Sequence, residues 1–292
     1  MGLTISCARF LFHCFQNEVS FSETIMLGRQ ELLTTQQDIV RLAKKKGLYN
    51  ERWELPFEDK YSEGLFKLLG AQLIDSLDFS NYESASVIHD LNKPLPDSLK
   101  NKYSVVIDGG TLEHVFNFPE ALKSCMDMLK PGGHFIAITP ANNLCGHGFY
   151  QFSPELFFSS FSEESGFRVL FLFLAVDIPG KGISEWYAVR DPREVKARVT
   201  FSNSSPTQMM VLAQKLEQKS LTALSPNQSD YTTVWEEHSN PKIKSGLMVR
   251  IYRLIVPIFI RDAVYKLRDE SAKKNVDHLG KVNPQYFTKI DF

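Results

Sequence analysis

The sequence has few cysteines, no long uninterrupted apolar run, no excess of one charge and no G-x-G-x-x-G motif. Its four cysteines, Cys7, Cys14, Cys125 and Cys145, lack close metal-ligand spacing, and no metal-ligating set is identified. Three of them fall in expected helices, so reduced thiols in a cytoplasmic protein are expected rather than a disulfide scaffold. Lysine and arginine total 33 against 34 acidic residues, for a net charge of -1. That balance provides no electrostatic footprint for nucleic acid, and no nucleic-acid partner is expected. The missing glycine fingerprint after the first expected strand counts against a nucleotide-dependent dehydrogenase. Internal repeats and low-complexity tracts are also absent. What remains is a 292-residue chain, 43% hydrophobic and 23% charged, in the range of globular proteins. Its length suits one large domain with extensions, or one domain with a small second one.

At the start, Met1-Gly2-Leu3-Thr4-Ile5-Ser6 matches the myristoylation pattern, with Cys7 adjacent for a second acyl chain. Ala8, Leu11, Phe12 and Phe15 also form one apolar face of a helix over 7–17, and that reading is preferred. The segment lacks the charged region and long apolar core of a secretion signal.

The most informative stretch is 103–150. Residues 104–107 form a β-branched run, as in a strand buried on both faces. Asp108-Gly109-Gly110 ends it in a sharp turn. Leu112, Val115, Phe116, Ala121, Leu122, Cys125 and Leu129 recur at helical spacing, with Pro119 near the helix start. Lys130-Pro131-Gly132-Gly133 reads as a stop, 135–138 as the next strand, and Pro140 as its end. Strand, crossover helix and strand make a βαβ unit with parallel neighbours.

This stretch resembles the second half of a class I S-adenosylmethionine-dependent methyltransferase. Tyr103-Ser104-Val105-Val106 looks like the family's fourth strand, Thr111-Leu112-Glu113-His114-Val115 like the following turn, and Leu129-Lys130-Pro131-Gly132-Gly133 like the break before the fifth strand. The resemblance implies a doubly wound, Rossmann-like, mostly parallel α/β sheet with S-adenosylmethionine as cofactor. It implies a transferase acting on a small-molecule or glycan-like acceptor. A non-catalytic binding or scaffold protein on the same fold is the alternative.

The remaining elements are read against that resemblance. Residues 23–27 form the first strand, and the family's glycine-rich turn is reduced here to Gly28, followed by Arg29 and Gln30. Gly28, Gln30 and backbone amides are the implied cofactor contacts at this turn. Thr34 or Thr35 caps a helix to about Lys46, with Ile39, Val40, Leu42 and Ala43 on its apolar side. A second helix at about 62–69 precedes a strand at 73–79. In the family, an acid at that strand's end accepts hydrogen bonds from the ribose diol. Asp78 is the choice and Asp75 the alternative. A short strand at 85–88 leads into His89-Asp90-Leu91-Asn92, where Asp90 is implied to receive the adenine amino group and Leu91 to touch its ring. Asp108 and Gly109 complete the implied cofactor set. Asp78, Asp90 and Asp108 are all expected near carboxyl ends of parallel strands, where open α/β sheets hold ligands.

After Pro140, a loop carries His147 between Gly146 and Gly148, among aromatic residues. It suits a substrate wall. His147 is the candidate catalytic base, because imidazole is the side chain suited to exchanging protons near neutrality. Glu113 and His114 are further candidates, read mainly as orienting the helix start.

Ser153-Pro154 opens a helix, 168–176 and 208–213 read as strands, and a closing hairpin between them matches the family's final antiparallel pair. The expected division is an N-terminal helix (1–17), an α/β domain (18–216), and a linker with a helical C-terminal extension (217–292). Residues 246–268 mix apolar positions with Arg250, Arg253, Arg261, Lys266 and Arg268. Charges exclude a spanning helix; a protein contact or a peripheral membrane contact is expected there.

Overall fold

The computed structural model describes residues 2–49, 59–178, 180, 183–196, 198–219, 226–232 and 282–291. The 246–268 segment lies outside the described residues, as does most of the expected C-terminal extension. In chain order the elements are β1 (Gly2–Leu3), α1 (Ile5–Gln16), β2 (Glu23–Leu27), β3 (Glu31–Leu32), α2 (Gln36–Lys45), α3 (Glu63–Leu68), β4 (Leu73–Asp78), β5 (Val87–Ile88) and β6 (Tyr103–Asp108). A 3-10 turn (Leu112–His114), α4 (Phe118–Met128), β7 (Leu129–Asn142), α5 (Pro154–Ser160), β8 (Phe167–Ile178), β9 (Ile183–Val189), α6 (Pro192–Val195), β10 (Thr207–Lys215) and β11 (Phe287–Ile290) follow.

Among the described residues nine strands form one sheet, ordered β11-β9-β8-β10-β7-β6-β2-β4-β5. From β5 to β7 all neighbours are parallel. β10 is inserted between β7 and β8, antiparallel to both. Side-chain alternation on the central strands sends residues to two cores. Val106, Phe135 and Val211 face one core, with Leu122 and Cys125 of α4 and Phe157 of α5. Val105, Ile107, Ile136 and Leu212 face the other, with Leu11 of α1, Ile39 of α2 and Phe66 of α3. Helices on both faces of a largely parallel sheet make the fold doubly wound and Rossmann-like.

Several boundaries differ from the sequence expectations. The first helix begins at Ile5 because Thr4 Oγ1 accepts from the Cys7 amide, and Phe15 is solvent-facing rather than part of the apolar face. Cys7 is 2% exposed, which fits the helix reading and not a second acylation site. The crossover helix starts only at Phe118, because Leu112–His114 is a separate 3-10 turn. Pro140 does not end β7. Its carbonyl accepts from the Phe152 amide, and β6 has already ended at the Asp108–Ala137 pair. The proline nitrogen points the same way as its carbonyl, to the edge that β6 has already left, so no ladder bond to β6 is lost, while β10 still pairs along the other edge at Gln208. Four strands have no counterpart in the sequence expectations: the short pair β1 and β3, β9 around Trp186-Tyr187, and β11, whose Phe287–Ile290 pairs with Val189–Trp186.

Lys130-Pro131-Gly132-Gly133 is not a connecting loop. Leu129 already pairs with Tyr103, and the ladder resumes with Val105 opposite His134, so the four residues bulge from the strand edge. A Cβ on Gly133 would meet Lys130 O at 2.9 Å and Ser104 O at 3.0 Å. With no loop to finish α4, its last carbonyls find other donors. Asn101 N–H donates to Asp127 O at 2.8 Å and Lys102 N–H to Met128 O at 2.9 Å. The buried Lys215 Nζ donates to Leu129 O at 2.7 Å and Met126 O at 3.0 Å. A cation suits the negative end of the helix.

Burial lowers the Lys215 pKa to about 8. Lys215→Met strands two buried acceptors and is expected to cost about 1–3 kcal/mol in urea unfolding at neutral pH. From about 8 to 10.5 the unfolded chain holds the lysine proton and the native chain has lost it, so native stability rises with pH across that window. The Met variant lacks this rise, and unfolding midpoints of the two proteins across the window measure the difference.

Candidate functional site

The carboxyl ends of β2, β4, β6 and β7 meet at one end of the sheet. The turn after β2 is closed from within. Gly28 takes a left-handed φ of 68° and its N–H donates to Leu77 O at 2.7 Å. Arg29 turns outward to Glu63 at 2.6 Å and Asp59 at 3.2 Å, with its guanidinium 3.8 Å from the Tyr61 ring centre. Gln30 turns inward and is fully buried; its Nε2 donates to Leu27 O at 2.6 Å. Thr111 Oγ1 donates to the same carbonyl, also at 2.6 Å. A Cβ on Gly109 would lie 2.8 Å from the Gln30 amide and 3.1 Å from Leu3. The close approach that Gly109 permits is therefore to Gln30 and to β1, which pairs with β3 across this end.

Asp78 ends β4 and its Oδ1 accepts from Ser80 N–H at 3.0 Å. The alternative, Asp75, is committed to the sheet: Tyr103 OH, Ser86 Oγ and Lys102 Nζ all donate to it within 3.1 Å. Burial pushes its carboxyl up, but those donors outweigh burial and hold it below the usual range. Asp90 accepts from the Asn92 side chain and backbone, which hold its carboxyl below the ordinary value, and faces Lys93 at 3.4 Å. Leu91 is 6% exposed and packs in the core, which limits its contact with any ligand.

Asp108 is fully buried, with Oδ1 accepting from Thr111 N–H at 2.8 Å and Leu112 N–H at 3.2 Å. It caps the 3-10 turn that delivers Glu113 to the same interior. Burial raises both carboxyls, and Glu113 raises Asp108 further. Glu113 Oε2 lies 3.4 Å from Thr139 Oγ1. His147 reaches Glu113 from the opposite loop, with Nε2 3.3 Å from Oε1. Phe149 N–H donates to Glu113 O at 2.8 Å and Tyr150 OH to Phe116 O at 2.7 Å, which fixes the loop. Gly148 has φ 84°, and a Cβ there would meet Glu113 O at 2.8 Å.

A cavity of about 120 Å³ opens here, lined by Gly2, Gly109, Gly110, Glu113, Thr139 and His147 among others. Three buried oxygens at this end accept no hydrogen bond: Gln30 Oε1, Asp108 Oδ2 and Glu113 Oε1. On the surface of the same loop pair, Phe116 and Phe149 are 72% and 66% exposed, with ring centres 5.9 Å apart and edge to face. His147 and Gly109 thus line one cavity, with Gln30 packed behind Gly109 and Asp108 holding the turn that carries Glu113, while Asp78 and Asp90 stand at the ends of the neighbouring strands. Glu113 and Thr139, and the N-terminal Gly2 and Leu3, are site residues that sequence reasoning undervalued or missed. Glu113 alone carried a signal, as an acid beside a histidine just after a glycine turn.

No family model matches the chain, and no curated protein matches it. Solved structures do. One is the Burkholderia thailandensis 1,6-didemethyltoxoflavin-N1-methyltransferase with bound 1,6-didemethyltoxoflavin and S-adenosylhomocysteine: 11% identity, 73% of this chain and 78% of that chain, TM-score 0.40. Another is a branched-chain polyamine synthase mutein from Thermus thermophilus in complex with N4-aminopropylspermidine and 5'-methylthioadenosine: 13% identity, 77% of this chain and 60% of that chain, TM-score 0.35. At likeness this low, the chain's own geometry carries the functional reading.

The Gln30–Gly109 contact is open to a double-mutant test. Gly109→Ala is expected to cost about 1–3 kcal/mol by overpacking. In a Gln30→Ala background the same substitution should cost clearly less. Equal costs in the two backgrounds, measured by chemical unfolding, would show that the amide does not sit against Gly109.

Proposed function

We propose that the protein is an S-adenosylmethionine-dependent methyltransferase acting on a small-molecule or glycan-like acceptor. The observation that carries this is the convergence of Asp78, Asp90 and the Asp108–Glu113 turn at the carboxyl ends of the parallel strands. Such ends hold ligands in open α/β sheets. The unpartnered buried oxygens fit the group: Gln30 Oε1, Asp108 Oδ2 and Glu113 Oε1 are all acceptors, and S-adenosylmethionine carries an ammonium and a sulfonium. When bound, it supplies a methyl group activated on the sulfonium sulfur.

The chain's own groups divide the work. Asp78 is free enough to accept from a ribose diol, and Asp90 to accept from an exocyclic amine. Asp108 and Gln30 offer oxygens to the cationic end. Glu113 and His147 face the acceptor side, where His147 Nε2 takes the acceptor's proton and Glu113 Oε1, 3.3 Å away, stabilises the imidazolium so formed. The exposed Phe116 and Phe149 rings form an apolar wall for a sugar face or a planar molecule.

A second reading, a binding protein without catalysis, is favoured by the closed turn at Gly28-Arg29-Gln30. Calorimetric titration with S-adenosylmethionine and S-adenosylhomocysteine, with NAD as control, separates the two. Methyl transfer requires saturable binding of the first two and none of NAD. Asp78→Ala should then weaken binding roughly tenfold to a hundredfold, since hydrogen bonds to a charged acceptor are worth about 1.5–3 kcal/mol. Absence of binding up to millimolar cofactor favours the binding-protein reading, and unchanged affinity in the variant removes Asp78 from the ribose role.

A further inference from the structure

The Glu113–His147 pair has a feature that proton transfer does not explain. Glu113 Oε1 and His147 Nε2 are 3.3 Å apart, yet Glu113 Oε1 accepts no hydrogen bond from any described group. Two atoms bearing lone pairs, held at that distance without a hydrogen bond, suit a third body between them. The neighbouring His114 completes a group: one ligand atom each from Glu113, His114 and His147, all within 4.8 Å of one another. The His114 and His147 rings have centres 5.2 Å apart. For bonds of about 2.0–2.1 Å, a tetrahedral ion spaces its ligands by roughly 3.4 Å. The Glu113–His147 separation already has that value, and small rotamer changes would bring in His114.

We propose that Glu113, His114 and His147 form a site for one divalent transition-metal ion of the zinc class, at the mouth of the cavity. The donor set decides the metal class. Two imidazoles and one carboxylate suit zinc, cobalt or iron(II), whereas magnesium and calcium take oxygen ligands. The protein frame is rigid where a metal site needs it. Glu113 is 1% exposed in its side chain and held by the turn that Asp108 caps. The His147 loop is tied to Glu113 O by Phe149 N–H. Three protein ligands leave coordination positions for water or for an oxygen-bearing molecule. Binding displaces any proton on the two imidazoles and on Glu113, so affinity should fall as the solution is acidified.

The site stands apart from the methyl-transfer reading, because it needs no cofactor. The two are nevertheless coupled at one atom: a metal on His147 Nε2 removes that nitrogen from proton transfer. His114 separates them, since it is a ligand here and has no part in the base role.

The test uses the full chain without a histidine tag, stripped with chelator and titrated with Zn²⁺ and Co²⁺ alone, with Mg²⁺ as control. Calorimetry reads stoichiometry, and the Co²⁺ visible spectrum reads nitrogen and oxygen ligation. The expected result is one equivalent of Zn²⁺ or Co²⁺ and no saturable Mg²⁺ binding. His114→Ala and Glu113→Gln should each weaken binding by more than roughly a hundredfold, beyond the usual effect of losing an outer partner. His89→Ala, outside the cluster, should leave it unchanged. Circular dichroism shows whether each variant is folded, and the solvent-facing His147→Ala gives a third measurement should Glu113→Gln unfold. Failure of the parent chain to bind either ion, or binding of equal strength in the folded His114→Ala and His147→Ala variants, overturns the proposal. Neither result bears on S-adenosylmethionine binding, which is measured in a separate titration.

Discussion

The Leu27 carbonyl governs this end of the molecule. A carbonyl oxygen has two lone pairs, and both are used, by Gln30 Nε2 and Thr111 Oγ1 at 2.6 Å each. One donor comes from the turn after β2 and the other from the turn after β6, so a single atom locks two adjacent strand ends together. Because the lock is buried, breaking either bond leaves an unpaired polar group away from water. The rest of the site is arranged around it. Gln30 must point inward, Gly109 must lack a side chain, and β1 must lie across the gap beside β3. The space that remains lies between β6 and β7, where Glu113, Thr139 and His147 meet.

The opposite end of the sheet is held in a different way. There α4 passes into β7 without a loop, and every carbonyl from Met126 to Leu129 finds a donor from Asn101, Lys102 or Lys215. A rigid end with satisfied backbone and a site end with three unpartnered buried oxygens make a functional division within one sheet.

Much of the sheet was legible because its central strands are short apolar runs bounded by turn residues: 23–27, 73–79, 104–107 and 208–213 read as strands from local pattern, close to the observed Glu23–Leu27, Leu73–Asp78, Tyr103–Asp108 and Thr207–Lys215. What was not legible depends on distant partners. β11 has a partner about a hundred residues away, and nothing in Phe287–Ile290 announces it. The Lys130–Gly133 segment has the composition of a helix stop, and only the pairing of Leu129 with Tyr103 reveals a bulge. At the site, the acids at strand ends could be placed once the strands were placed. The direction of Gln30 could not, since it depends on Leu3 and Gly109. Nor could spacing bring His147 to Glu113 and His114, because the loops that join them lie on different strands.

The outermost strands of the described sheet are also its two shortest. β5 has two residues, and β11 has four, with Thr288 and Lys289 turned to solvent. An edge strand offers unpaired amides and carbonyls that another chain can join. Before β11 arrives, that edge is β9, a seven-residue strand containing Trp186 and Tyr187. Addition of β11 exchanges a long aromatic edge for a short one bearing a lysine. The tail thus acts as a guard against self-association, and a chain cut before residue 287 should reveal the hazard as aggregation rather than as a lost activity.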